Sequence, residues 1–255
     1  MSVDIGEMRR DEDRGRPSAS YIGPATVPDG LAVTFSRLAR SLHQESGLDD
    51  TLRGIVSAAV QTVPGAQEAA LSVIEGRRGV RTRAGSAEFA YQVDQVQYDT
   101  GEGPCLTSLS EQCTVRLSDV ATETRWPSFT PRAAELGVGS MLAVQLYVEQ
   151  DNLGALNLYS RQAGAFTDES EQVGLVFATH AALAMAEAQG QERMHRAVEV
   201  RDLIGQAKGI LMERHKVTGD QALNLLVRAS QNSNRKLVEI AAHLVETGAL
   251  ADPRR

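Results

Sequence analysis

Apolar residues recur at three- to four-residue intervals at Leu31, Phe35, Leu38 and Leu42, and again at Leu48, Leu52, Ile55, Ala59 and Val63. Such spacing lines one face of a helix. Gly47 separates the two stripes, and Pro64-Gly65 stops the second. The period then changes. Ala69, Leu71 and Val73 alternate as in a strand, Glu75-Gly76 begins a turn, and Val80–Arg83 reads as the returning strand. A polar segment and a glycine-bearing loop, Asp99–Pro104, follow. Val115–Leu117 predicts a short strand ahead of Trp126-Pro127. Two β-rich runs, Met141–Val148 and Leu153–Ser160, flank Glu149–Asn152 as a hairpin. Strands adjacent in sequence, with helices at the ends, predict an α+β fold with an antiparallel sheet.

From Asp168 onward no strand pattern occurs. Thr167-Asp168-Glu169 suits a helix start, and helical character persists to about His215, which at 1.5 Å per residue would span about 70 Å. Gly190 is the expected weak point. Val173, Val176, His180, Leu183, Met194, Ala197, Arg201, Ile204, Lys208 and Leu211 follow a three-four alternation. That pattern suits a coiled-coil seam, and a long helix cannot bury its stripe alone, so a homodimer is expected. Thr218 is placed to cap a helix carrying Ala222, Leu223, Leu226 and Ala229, and Leu237, Ile240, Ala241, Leu244 and Val245 form a last stripe ended by Thr247-Gly248. The expected organisation is a disordered tail over 1–28, a sensor-like domain over 29–190 and a three-helix bundle over 191–250.

Composition sharpens this picture. Hydrophobic residues make up 42% and charged residues 23% of 255, an ordinary globular balance. The net charge of −7 argues at first against a nucleic-acid partner. The total hides a split: from Gln191 onward eleven basic residues face eight acidic ones, leaving +3 there and −10 for the first 190 residues. The apolar runs Leu142–Val148 and Leu175–Met185 are broken by Gln145 and His180, so no membrane partner is expected. Two cysteines, Cys105 and Cys113, make no disulfide framework, and a reduced, cytoplasmic setting is the simplest reading.

Little points to catalysis. No GxxxxGK[ST], GxGxxG, HExxH or GxSxG motif occurs, and the five histidines are scattered, so neither an enzyme nor a metal site is expected. Cys105 follows the glycine loop and opens a helix, where a thiol can be acidified, although a small buried cysteine is the plainer reading.

Two resemblances rest on particular residues. Asp99–Cys105, Arg125-Trp126-Pro127 with Phe129, Gly137–Ser140 and Leu153–Leu158 make residues 69–177 resemble a GAF domain. The resemblance implies a sensor module with a five- or six-stranded antiparallel sheet, a small-molecule ligand held between sheet and loops, and dimerisation through terminal helices. Phe89, Tyr91, Tyr98, Cys105, Trp126 and Phe129 would line that pocket, and each suits a plain core equally well. No cofactor is named by it.

The run Arg201–Met212, containing Gln206-Ala207-Lys208-Gly209-Ile210-Leu211-Met212, with Ala222, Leu226, Ala229, Asn234, Lys236, Leu237 and Ala241, resembles an ANTAR domain. That resemblance implies a dimeric transcription antitermination regulator binding paired RNA stem-loops. Ile204, Leu211, Leu223, Leu226, Leu237 and Leu244 would close the core. Lys208, Arg214, Arg235 and Lys236, with Arg201, would then meet phosphates, while Gln206 and Asn234 would read loop bases. No aromatic residue follows Phe177, which argues against a stacking platform for extended single strands. The rival expectation is a protein-interaction adaptor, or a ligand-sensing signalling protein without RNA binding.

Overall fold

The structure is a computed structural model and describes residues 3–4, 47–76, 79–148 and 151–250. The apolar stripe at residues 31–42 lies outside the described residues, as does the expected tail apart from Val3–Asp4.

Helix α1, Leu48–Thr62, forms because Leu52, Ile55, Val56 and Ala59 share one buried face. Asp49 and Asp50 lie in its first turn, where negative charge suits the helix dipole. The strands are β1 (Val3–Asp4), β2 (Glu68–Glu75), β3 (Gly79–Gly85), β4 (Val115–Leu117), β5 (Ser140–Val148) and β6 (Asp151–Ser160). They pair antiparallel in the order β1-β3-β2-β6-β5-β4, with β1 adding only two residues beside Gly79 and Val80. Three helices lie between strands: α2 (Glu88–Thr100), α3 (Pro104–Glu111) and α4 (Thr130–Glu135).

The pleat gives the sheet two unlike faces. Leu71, Val73, Leu142, Val144, Leu156 and Leu158 pack with α1 and with Phe177, Ala181 and Met185 of a later helix. On the other face Ala70, Met141, Ala143 and Tyr159 pack with Phe89, Val93, Trp126 and Phe129. That second face also carries Ser72, Thr82 and Asn157 at positions where apolar residues would be ordinary.

The chain divides into two compact units, Met1–Gln189 and Gly190–Arg255. One helix, α5 (Asp168–His215), begins in the first and ends in the second, unbroken at Gly190. In the second unit α6 (Gly219–Ser233) and α7 (Leu237–Thr247) pack with the end of α5 around Ala207, Leu211, Ala222, Leu226, Ile240, Ala241 and Leu244. Three of these core residues are alanines, which brings helix backbones close together. Ile204 and Leu237 pack at the edge of this core, whereas Leu223, expected inside, is only half-buried and stands outside it.

Thr218 caps α6 in a reciprocal box: its hydroxyl accepts from the Gln221 N–H (3.3 Å), and the Gln221 side chain accepts from the Thr218 N–H (2.9 Å). Thr218→Ala is therefore expected to cost about 1 kcal/mol in urea unfolding of the second unit.

The hydrophobic pattern missed α2 and read its residues as a polar segment. The helix buries Phe89, Ala90, Val93 and Val96, but the same face also buries Asp94, Gln97 and Tyr98, which blurs the stripe. The expected loop is correspondingly shorter, since Asp99 and Thr100 close α2 and Pro104 opens α3.

Candidate functional site

A polar cluster lies between α2 and the sheet. Asp94 is wholly buried, and five side chains donate to its carboxylate. One oxygen accepts from Gln97 Nε2 (3.1 Å), Asn157 Nδ2 (2.9 Å) and the Tyr159 hydroxyl. The other accepts from the hydroxyls of Ser72 (3.2 Å) and Thr82 (2.7 Å). Around these, the Tyr98 hydroxyl bonds to Ser72 (2.7 Å) and Thr82 (2.9 Å), and Asn157 Nδ2 also donates to Ser72 Oγ (3.0 Å). Asn157 Oδ1 is buried and has no hydrogen-bond partner among the described residues.

Electrostatics follow from burial. Loss of water pushes the Asp94 carboxyl up to about 6, against the pull of its hydrogen bonds from Tyr159, Thr82, Ser72 and Asn157. Burial, then the Asp94 charge, pushes the Cys105 thiol up to about 12 and raises both Tyr98 and Tyr159. Cys105 does open α3, but burial outweighs any acidifying effect of that helix end.

Helix α3 is clipped over this cluster. Gln97 reaches both ways, with Oε1 accepting from the Cys105 N–H at 2.8 Å while Nε2 serves Asp94. The chain reaches α3 through Gly103 at φ 133°, where a Cβ would strike Gln97 Oε1 at 2.5 Å. Glycine is required there by conformation and by space. Trp126 joins from the far side, its indole N–H donating to Thr107 Oγ1 of α3 at 3.0 Å.

The six residues expected to line a pocket do not stand together. Tyr98 and Cys105 belong to the polar cluster's surroundings, with Leu106, Leu109 and Ala155. Phe89, Trp126 and Phe129 are buried in the neighbouring apolar cluster. Tyr91 is exposed, its ring against Gly85. A surface groove between α2 and α4 is lined by Gln92, Gln95, Val96, Asp99, Arg132 and Glu135, and by none of those six. Asp94, Gln97, Ser72, Thr82, Asn157 and Tyr159 were missed. Their signal was available: single polar residues inside the apolar runs of β2 and β6, and Asp94, Gln97 and Tyr98 at helical spacing.

The second unit presents cations. Arg201, Gln206, Arg214, Asn234, Arg235 and Lys236 are exposed, and Lys208 is half-buried. A side chain at Gly219 would meet Lys208 Cε and Nζ at 3.6 Å, so this lysine lies along the first turn of α6. Arg214 donates to the Gly248 carbonyl at the end of α7, and Arg235 pairs with Glu239 at 3.6 Å. Among the described residues, Arg201, Lys208, Arg228 and Lys236 form no ion pair within 4.0 Å; exposed Arg228 was not anticipated. Asn234 ends α6 in the left-handed conformation (φ 51°), a local structural reason for asparagine there. Gly209 has open space where a side chain would stand.

The α5 surface differs from the expected seam. Val173 is buried in the first unit's core with Val176 packed against it, and Leu211 and Ile204 are taken up by the bundle. Left outside are Leu175, Leu183, Met194 and Val198, exposed by 51%, 55%, 69% and 51%. Every residue from 191 to 199 is exposed.

Comparison with known families matches residues 45–186 to the GAF domain and residues 192–245 to the ANTAR domain. No curated protein matches the sequence. Among solved structures, the bacteriophytochrome RpBphP3 from R. palustris shares the fold at TM-score 0.57 and 8% identity, covering 82% of this chain and 48% of that one. The chromophore-binding domain of RpBphP3 aligns at TM-score 0.51 and 8% identity, covering 66% of this chain and 64% of its own. The GAF domain of an Acinetobacter phosphoenolpyruvate-protein phosphotransferase is similar at TM-score 0.49 and 14% identity, covering 64% and 97%. Among the described residues, no helix is long and apolar enough to cross a membrane.

Proposed function

We propose that this chain, which belongs to the GAF domain family and carries an ANTAR domain at residues 192–245, is an RNA-binding transcription antitermination regulator whose first unit is its sensor. The observation that carries the reading is a coincidence: the ANTAR match falls on the stretch that holds the positive excess of an acidic chain. Within it Arg201, Lys208, Arg228 and Lys236 are left without carboxylate partners among the described residues. Cations without carboxylate partners are free to displace counterions from phosphates. Gln206, exposed on α5, suits an unpaired base edge. The reading includes no catalysis; burial pushes the Cys105 thiol up to about 12, which disfavours the thiolate a nucleophile needs.

The helix surface favours a second copy of the chain as partner. The nine successive exposed residues 191–199 bury no face against the other described residues; Met194 and Val198 are apolar among them, and Leu183 is exposed earlier on the same helix. A dimer would present two cationic surfaces to two stem-loops. A signal in the first unit would act by favouring one arrangement of that dimer over another.

Lys208→Ala and Lys236→Ala are each expected to weaken RNA binding about three- to tenfold and to flatten its salt dependence. Fluorescence anisotropy with labelled RNA measures both, and unchanged affinity removes the residue from the interface. Crosslinking and sequencing of the RNA bound in cells tests the function itself. Enrichment of paired stem-loops near terminators is expected. Recovery of protein partners with no RNA above background would replace this reading with the adaptor.

A further inference from the structure

The first unit buries a charge, and its described residues supply no counterion for it. Every group that touches the Asp94 carboxylate is a neutral donor. The charged residues of the surrounding elements are engaged or exposed elsewhere. Glu75 of β2 pairs with Arg81 and Arg83 of β3, and Arg83 also reaches Asp49 of α1. Glu68 accepts the Ser86 hydroxyl. On α2, Asp99 pairs with Arg132 and Glu88 is exposed. Before α3, Glu102 accepts from Ser128, and Glu111 at the helix end is exposed. Asp151 at the start of β6 is exposed, and Arg161 beyond its end lies over the Phe89 ring at 4.2 Å. The titratable groups around Asp94 are Tyr98, Tyr159 and Cys105, and burial keeps all three protonated through the neutral range.

The cluster is also closely filled: Ser72, Asp94, Gln97, Cys105, Asn157 and Tyr159 are all buried. The cation that can balance this charge without displacing a packed side chain is a proton. We propose that the Asp94 cluster is a proton-binding site, that its occupancy resets the seating of α3, and that the first unit thereby senses acidity. This goes beyond the RNA-binding reading and stands or falls without it.

The chemistry balances within the cluster. A proton from water adds to one Asp94 oxygen, and that oxygen changes from acceptor to donor. At least one of the five incoming hydrogen bonds must then reverse or break. The hydroxyls of Ser72, Thr82 and Tyr159 can reverse, since each can accept. Asn157 Oδ1 is an acceptor with no donor among the described residues, on a side chain that already bonds Asp94. Gln97 would pass the rearrangement on, because the same amide holds the first turn of α3. The raised Asp94 carboxyl, at about 6, puts the event just below neutrality. The folded protein then holds this proton more tightly than the unfolded chain. Its contribution to stability is full below the ordinary value of 3.8 and is lost as pH rises through about 6.

The test uses the full chain. Trp126 is its only tryptophan and bonds α3, so indole emission reports on that helix. The side-chain carboxyl carbon of Asp94 is followed by NMR between about pH 5 and pH 8, alongside Trp126 emission. A carboxyl midpoint near 6, shared by an emission change that Asp94→Asn abolishes, is the expected result. A carboxyl that shows no midpoint within the interval, or wild-type emission that is flat across it, overturns the proposal. Both of those readings come from the wild-type protein and stand even where the variant fails to fold.

Discussion

Asp94→Ala is expected to destabilise the first unit by about 3–5 kcal/mol, a large part of the stability of an ordinary domain. The size follows from what is left behind. Ser72, Thr82 and Tyr98 can bond one another, and Asn157 Nδ2 keeps Ser72. The Tyr159 hydroxyl and Gln97 Nε2 lose the carboxylate with no other acceptor among the described residues, each an orphaned donor costing about 1–3 kcal/mol. The vacated space adds a cavity term. Removing a desolvated charge recovers part of this, which is why the sum stays below the total of the separate losses. The bonds tie α2 to β2, β3 and β6, so their loss should unfold the sheet region cooperatively. Urea unfolding at neutral pH measures the change; a loss under about 1 kcal/mol would mean the cluster contributes little.

The second large effect concerns the α5 surface. Leu183→Glu with Met194→Glu places two like charges on each helix where two copies would meet. Both side chains are more than half exposed, so the folded chain should tolerate the change. The dimer should dissociate, as measured by light scattering on a sizing column. Affinity for a two-stem-loop RNA should fall by about a hundredfold or more, because linked binding becomes two separate events. A dimer that persists would place the interface elsewhere. A monomer that binds paired stem-loops as tightly as before would show that avidity plays no part.

The sequence was most legible where one physical pattern dominated. Alternation marked β2, two β-rich runs around a turn marked β5 and β6, and the ends of α5 came from Thr167-Asp168 and the residues around His215. In the second unit, the Thr218 cap and Gly248 stop each announced a helix boundary that the structure keeps. Legibility failed where function-like residues interrupt the pattern. Asp94, Gln97 and Tyr98 concealed α2 because they put polar atoms on its buried face. The same interruption hid the cluster, since its members come from four separate elements and meet only in the folded sheet. Aromatic residues drew attention instead, and most proved to be core. The α5 seam was misread for a related reason. Periodicity shows that a face is apolar but does not say whether the chain's own core already covers it, as it does for Val173 and Leu211.

The most direct measurement is equilibrium binding of the full-length protein to an RNA carrying two adjacent stem-loops, against one carrying a single stem-loop, over a range of salt. The account predicts tight binding to the pair, much weaker binding to the single hairpin, and affinity that falls steeply with salt. No binding to either RNA at low salt would contradict it, as would equal, salt-insensitive binding to both.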